Sequence, residues 1–322
     1  SAKRGFGYVT FDGNKITDKA AIERIHSLVI PPAWKDVRIS PAAGGKVQAV
    51  GIDTIGRLQY IYHPKYAEAQ QRKKFARIER FGEHMPQLRK VTNEHISREG
   101  FPREKVLALM TRLINSLYIR MGTDQSVRNF RTYGITTLGK KHLEIKRDGK
   151  VVFEFVGKSR IKHRKVLVDP EVAKLLQDLV ALGRGRKLFK YLDNEGKPRT
   201  VKPAEINAYI KSITGEEYSA KDFRTWGASL LAAVELADTG VVEDDRIRQK
   251  NIVSAVKKVA EELGNTPSVC RASYIHPTIL RAYQKGVTID NFAPRRRPRA
   301  KLVEAEYKPE EISLLKLFRS AP

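Results

Sequence analysis

Tyr274 stands in the polar stretch GNTPSVCRASYIHP, close to His276 and to the only cysteine, Cys270. A phenol there is either an amphipathic aromatic that packs or a nucleophile, and the rest of the chain has to decide which. Arg224, in SAKDFRTWG, is the side chain hardest to explain as structure alone. The segment opens a helix, and a cation in a first turn opposes the positive end of the helix dipole unless an anion lies there. Helix N-termini bind phosphate, so Arg224 reads as part of a phosphate clamp. Its structural alternative is an ion pair with Asp222 or Glu235. Arg120, in YIRMG, falls at the far end of an apolar helix, where a cation can simply complement the dipole. Lys158, in FVGKSR, sits where a hairpin turn is expected, an ordinary place for a solvated lysine.

The composition calls for a phosphate-rich partner. The chain has 322 residues, with 61 Lys+Arg against 36 Asp+Glu and a formal net charge of +25. Residues 1–80 carry +8 of this excess and the remainder +17, so it is not confined to a tail. Such a surplus faces a polyanion, most often nucleic acid. A ribosome-like structural protein would share it. Apolar residues make up 41%, which suits a globular chain rather than a disordered one. A single cysteine makes neither an intramolecular disulfide nor a Cys-based zinc site, as expected in a reducing interior. No run has the length of a transmembrane helix and no signal peptide is apparent. The sequence opens on Ser1 rather than Met, as a trimmed N-terminus would.

The elements that must position these side chains form two groups. Residues 1–63 read as β-rich: GYVTFDGNKIT turns at Asp12-Gly13, and Leu58, Tyr60 and Tyr62 alternate in GRLQYIYH. Tyr66 to Arg80 is helical and basic, and the domain boundary is placed near residue 80. Residues 102–121 form a helix with an apolar seam at Val106, Met110, Leu113 and Leu117. HLEIKRDGKVVFEFVGKSRIKHRKVLV reads as two or three strands, with turns at Asp148-Gly149 and Gly157-Lys158. Asp169-Pro170 opens a helix to about Leu182, and GRGRK is a basic loop. SAKD is a capping box opening a helix to about Ala237. Another helix runs from about Asp244 to Leu263, and Gly264 ends it. PRRRPRAK, residues 294–301, is a basic segment before a last amphipathic helix, EEISLLKLF. The fold class is α+β: a small β-rich N-terminal domain, 1–80, and a larger, mainly α-helical domain, 81–322, with one small antiparallel sheet.

Taken in order, YIRMG, YGITTLGKKHLEI with FVGK, KDFRTWG and GNTPSVCRASY resemble the catalytic domain of type IB DNA topoisomerases of the bacterial and poxvirus-like subgroup. VIPPAWKDVRISP and GIDTIGRLQYIYHPKY resemble the β-rich N-terminal domain of the same family. The likeness covers roughly residues 28–280. It implies the fold shared by topoisomerases IB and tyrosine recombinases. It also implies Tyr274 as nucleophile, Arg120 and Arg224 on the scissile phosphate, and Lys158 as general acid. By the same resemblance Lys221 contacts DNA near the cleavage site, and Gln59, Tyr60 and Tyr62 contact DNA from the N-terminal domain. One position departs: Asn265 stands where poxviral and eukaryotic members have histidine. Asparagine donates a hydrogen bond but carries no charge. His276 has no assigned role and reads as a polar surface residue, while Cys270 reads as incidental.

The chemistry suits these residue types. Tyrosine attack on a phosphodiester builds negative charge on a pentacoordinate phosphorus, which guanidinium donors stabilise with fixed geometry. The expelled 5′ oxygen needs a proton, which a lysine can give. A phenol is a weak nucleophile at its free pKa of about 10, and nearby cations favour its phenolate. The resemblance implies a 3′-phosphotyrosyl intermediate, swivelling and resealing, with neither ATP nor a metal as cofactor. It implies double-stranded DNA as partner, with no membrane, a monomer acting as a clamp, and a cytoplasmic, nucleoid-associated location. The nearest alternative is a tyrosine recombinase, which usually shows His-x-x-Arg where this chain has Lys221-Asp-Phe-Arg224, and which carries a helical N-terminal domain. A non-catalytic DNA-binding protein is the second alternative. A general RNA-binding protein lacks support, since RRM-type and KH-type signatures are missing.

Overall fold

The computed structural model describes residues 6–182, 185–215, 218–292 and 307–320. The basic segment 294–301 therefore lies outside the described residues. The chain divides into two units, residues 1–76 and 77–322.

The first unit contains α1 (Lys19–Ser27), β1 (Lys35–Ile39), β2 (Val47–Ile52) and β3 (Leu58–Tyr62), with the start of α2 (Pro64–Glu83). The strands form an antiparallel sheet in the order β1-β2-β3. The Asp12-Gly13 turn forms, but among the described residues it is flanked by a single bridge, Val9 to Lys15, rather than by strands. Helix α1 was not anticipated by the β-rich reading. Its signal is local: Asp18 caps it by accepting from the Ala21 amide at 3.0 Å. Arg24 ties α1 to the sheet by donating to Gln48 Oε1 at 2.8 Å. The buried Gln48 amide then satisfies the carbonyls of Ala42, Ala43 and Gly45. Along β3, Leu58, Tyr60 and Tyr62 point outward and are 54%, 47% and 44% exposed.

The second unit is mainly helical. Its core is built on α4 (Arg103–Leu117), where Val106, Leu107, Met110, Leu113, Ile114 and Leu117 are all buried. A stripe this wide means that the helix is enclosed on several sides rather than packed along one seam. Around it lie α3 (Met85–Ile96), α7 (Pro203–Thr214) and α8 (Ala220–Thr239). Helix α4 stops at Leu117, with Tyr118 in the left-handed conformation at φ 53°, so Arg120 lies three residues beyond the helix rather than at its end. Beyond it come α5 (Asp124–Phe130) and an antiparallel sheet of β4 (Leu143–Ile145), β5 (Lys150–Val156) and β6 (Lys162–Val168). Asp169 caps α6 (Pro170–Ala181) by accepting from the Val172 amide at 3.0 Å. A second small sheet, β7 (Lys190–Leu192) with β8 (Pro198–Thr200), was not expected. Its strands have three residues each, too short for an alternating pattern to show.

At the start of α8, the Asp222 carboxylate accepts from the Ser219 amide and hydroxyl, which is the acidic half of the capping box. The chain then runs through α9 (Asp245–Leu263), α10 (Pro267–Ser273), α11 (Pro277–Gln284) and α12 (Pro309–Ser320). Helix α12 is anchored by a two-bonded pair between Arg89 and Glu311, at 2.8 and 2.6 Å, with both side chains buried.

Candidate active site

The site forms where the end of α9 meets the chain leaving α4 and the first turns of α8. Gly264 closes α9 with φ 59°, a left-handed conformation that favours glycine. The final carbonyls of a helix have no partner inside it and carry the negative end of its dipole. In this protein cations take them. Lys165 Nζ on β6 binds the Glu262 carbonyl and carboxylate. Arg224 Nη2 donates to the Leu263 carbonyl at 2.8 Å. Arg120 donates to the carbonyls of Leu263 and Gly264 at 3.4 and 3.3 Å and also binds Asn265 Oδ1.

Arg224 is 4% exposed. Its other guanidinium nitrogen, Nη1, binds the carbonyl of Tyr118, whose ring lies against Gly227 on the same helix. The sequence suggests Arg224 in the first turn of its helix, at the dipole's positive end, and the fold places it elsewhere. It belongs to the second turn of α8, and two backbone carbonyls from other segments hold it, rather than the amino end of its own helix. The expected ion-pair alternatives are also absent, because Asp222 pairs with Arg77 at 3.0 Å and Glu235 pairs with Lys258.

Two buried donors in this cluster have no hydrogen-bond partner among the described residues: Arg224 Nε and Asn265 Nδ2. An unsatisfied buried donor is costly, and a pair of them beside two guanidinium groups suits an anion. Burial, together with the charge of Arg120, draws Arg224 below the usual arginine range.

Tyr274 is the residue just after α10, which Thr266 caps and Pro267 opens. Its amide donates to the Cys270 carbonyl at 2.9 Å, and its carbonyl accepts from Ser229 Oγ of α8 at 3.2 Å. Backbone bonds thus fix the tyrosine from two sides. Its ring centre lies 5.4 Å from the Arg224 guanidinium. Burial raises the phenol pKa, but the charges of Arg224, Arg120 and Lys221 outweigh it, and the phenol falls below its ordinary value.

Lys158 follows Gly157 at the tip between β5 and β6, exposed, in a turn whose Ser159 and Arg160 both have positive φ. The tip borders the same cleft as Arg120, Arg224, His163 and Lys165. Arg120, Arg224, Asn265 and Tyr274 are therefore brought together, with Lys158 and the exposed Lys221 at the rim. Gln59, Tyr60 and Tyr62 belong to the first unit. There Tyr60 and Tyr62 stack at 5.9 Å with planes 10° apart, and Gln59 donates to Asp53 at 2.9 Å.

Sequence reasoning missed three residues of this cluster: His163, Lys165 and Glu262. Burial alternates along β6 and turns His163 and Lys165 inward, but the sequence KHRKVLV, with Val166 and Val168 on the opposite face, gives no sign of it. His276 also needs correcting. It is buried, its Nδ1 accepts from the Thr278 amide at 3.2 Å, and its Nε2 lies 3.1 Å from Glu79. Nδ1 caps the entry to α11 while Nε2 faces Glu79 of α2, two ties that a surface reading did not foresee. Cys270 is enclosed, and burial pushes its thiol up to about 11, so it is un-ionised at neutral pH. Among the described residues, no group of His, Cys, Asp or Glu side chains is placed to hold a metal ion, and no helix is long and apolar enough to cross a membrane.

The family model described as the catalytic core of eukaryotic DNA topoisomerase I matches residues 63–293, and the model for the N-terminal domain of bacterial DNA topoisomerase IB matches residues 5–53. The chain belongs to the type IB DNA topoisomerases. The topoisomerase is 31% identical over 286 residues to DNA topoisomerase 1B of Acanthamoeba polyphaga mimivirus, covering 87% of this chain and 84% of the viral one. It is 25% identical over 268 residues to DNA topoisomerase 1B of Vaccinia virus (strain Copenhagen), covering 82% of each. A solved structure of the XerH site-specific recombinase bound to palindromic difH substrate overlaps 58% of this chain and 47% of its own, with 16% identity and a TM-score of 0.37. The α+β fold and the activity, relaxation of DNA by the type IB mechanism, follow from the family, and DNA is the partner.

Proposed function

We propose that Tyr274 is the nucleophile of this topoisomerase and that Arg120, Arg224 and Asn265 hold the scissile phosphate. The observation that carries this reading is the pair of unpartnered buried donors, Arg224 Nε and Asn265 Nδ2, beside a phenol whose pKa the surrounding cations lower. The guanidinium groups are positioned by backbone carbonyls before any substrate arrives, so little reorganisation accompanies charge build-up in the transition state. Lys158 gives its proton to the departing 5′ oxygen, and Lys221 contacts the strand beside the cleavage site. The first unit meets duplex DNA through Gln59 and the exposed stack of Tyr60 and Tyr62. The net charge of +25 supports phosphate contacts along a duplex, and with them a clamp formed by one chain on nucleoid DNA.

The reaction conserves bonds. The Tyr274 oxygen forms a bond to phosphorus as the bond to the 5′ oxygen breaks, and the reverse step reseals the strand. Because phosphodiester energy is retained, ATP is not required. Because arginines supply the charge stabilisation, a metal is not required either. The test is relaxation of supercoiled plasmid in EDTA without ATP, with wild type and Tyr274→Phe side by side. Wild type relaxes the plasmid at a rate linear in enzyme concentration, whereas Tyr274→Phe binds it without an SDS-stable adduct. Unchanged topology at stoichiometric wild-type enzyme, or an adduct with Tyr274→Phe, would overturn the assignment.

A further inference from the structure

The His163 ring occupies an unusual place. It lies on β6 opposite Phe155 of β5, in register, and stacks on that ring at 5.1 Å with planes 25° apart. Its edges press on two backbones that are distant in sequence. A Cβ added to Gly157 would fall 2.6 Å from His163 Cδ2 and Nε2. A Cβ added to Gly264 would fall 2.2 Å from Cε1. At either separation a side chain would force the ring or the backbone to shift, so the ring is in close contact with both glycines. Gly157 immediately precedes Lys158, and Gly264 immediately precedes Asn265.

We infer that His163 is a positioning residue: a wedge that sets the distance between the Lys158 turn and the Gly264–Asn265 turn. The inference rests on Lys158 as general acid and adds to that reading what places it. The Lys158 turn has few other ties. Gly157 donates to the Ile161 carbonyl at 2.8 Å, while the bond from Ile161 to Lys158 is long at 3.5 Å. Two consecutive residues with positive φ, Ser159 and Arg160, need surroundings that enforce them. The ring bears on the first residue of that turn, Gly157. It acts as a neutral body: burial, with Lys165, Arg120 and Arg224 nearby, draws its pKa down to about 4. Asn265 thus gains no charged imidazole from His163.

A misplacement of about 1 Å can cost about a hundredfold in rate. The experiment is single-turnover cleavage by His163→Ala, His163→Phe and Lys158→Ala, on a phosphodiester duplex and on one with a 5′-bridging phosphorothiolate. The sulfur leaves without needing a proton, so it reports on the acid alone. His163→Ala is expected to cleave the phosphodiester about 10–100-fold more slowly and to recover most of that loss on the phosphorothiolate. His163→Phe, which restores the aromatic wedge, is expected to recover most of the phosphodiester rate. Thermal melting of each variant controls for folding. Normal phosphodiester cleavage by His163→Ala overturns the inference, as does an equal loss on both substrates. A His163→Phe as slow as His163→Ala also overturns it, because the ring nitrogens would then be acting. If Lys158→Ala itself is not rescued by sulfur, the fault lies with Lys158 as the acid, which separates the two failures.

Discussion

Replacing Asn265 by alanine should separate catalysis from stability. In the free enzyme Asn265 Nδ2 is buried without a partner among the described residues, and leaving such a donor unsatisfied costs about 1–3 kcal/mol. The same amide accepts from Arg120 through Oδ1, and a hydrogen bond to a charged group contributes about 1.5–3 kcal/mol. Truncation removes both, so the two effects nearly offset and the melting temperature changes little. Arg120 keeps its bonds to the Leu263 and Gly264 carbonyls and stays close to its place. In the transition state the balance differs, because one preorganised donor to developing charge is worth about 2.7–4 kcal/mol, or about a hundred- to a thousandfold in rate. Asn265→Asp keeps the acceptor for Arg120 but replaces the donor with a negative charge, so it should cleave more slowly than Asn265→Ala. Asn265→His restores a donor and should cleave faster than both. The assay is single-turnover cleavage of a suicide duplex, quenched in SDS and read as covalent adduct, with a melting curve for each variant. Wild-type cleavage by Asn265→Ala, or an aspartate variant faster than the alanine one, would refute the role of Nδ2.

The phenol of Tyr274 should give a pH signature on the phosphorothiolate duplex, where no acid is needed. Cleavage should rise with pH as the phenol ionises and level off below its ordinary pKa of about 10, because the nearby cations favour the phenolate. Lys221→Ala removes one of those cations, so the plateau should move to higher pH; an unmoved profile would take Lys221 away from the tyrosine. Far from the site, Glu311→Gln breaks a buried pair with Arg89 and should lower unfolding stability by about 3–5 kcal/mol, measured by urea titration. A loss below about 1 kcal/mol, the value of an exposed pair, would mean that the Arg89–Glu311 pair does not anchor α12.

Most secondary structure was legible because its signals are local. Asp169 before Pro170, Ser219 with Asp222, and Gly264 after Leu263 each mark a helix end by a bond or a backbone angle within a few residues. The strands around Phe153 were legible through alternation and the Asp148-Gly149 turn. The short β7 and β8 were not, since three residues leave no period to read. His276 was misplaced because burial depends on Phe318 and Glu79, both remote in sequence.

The candidate site divides along the same line. Sequence alone supplied the candidate residues, Arg120, Lys158, Arg224, Asn265 and Tyr274, through their resemblance to the family, and the surplus of positive charge that calls for a polyanion. Tertiary structure alone decided how they are held. Arg224 was assigned to a helix N-terminus because only its own helix was visible. In the fold its guanidinium reaches the carbonyls of Leu263 and Tyr118, which belong to two other segments. The carbonyls at the end of α9 attract cations from any segment that reaches them, and the sequence holds no record of which ones do. His163 shows the same limit: a ring that fits between two glycines about a hundred residues apart is a fact of packing, which depends on the approach of backbones and leaves no local pattern.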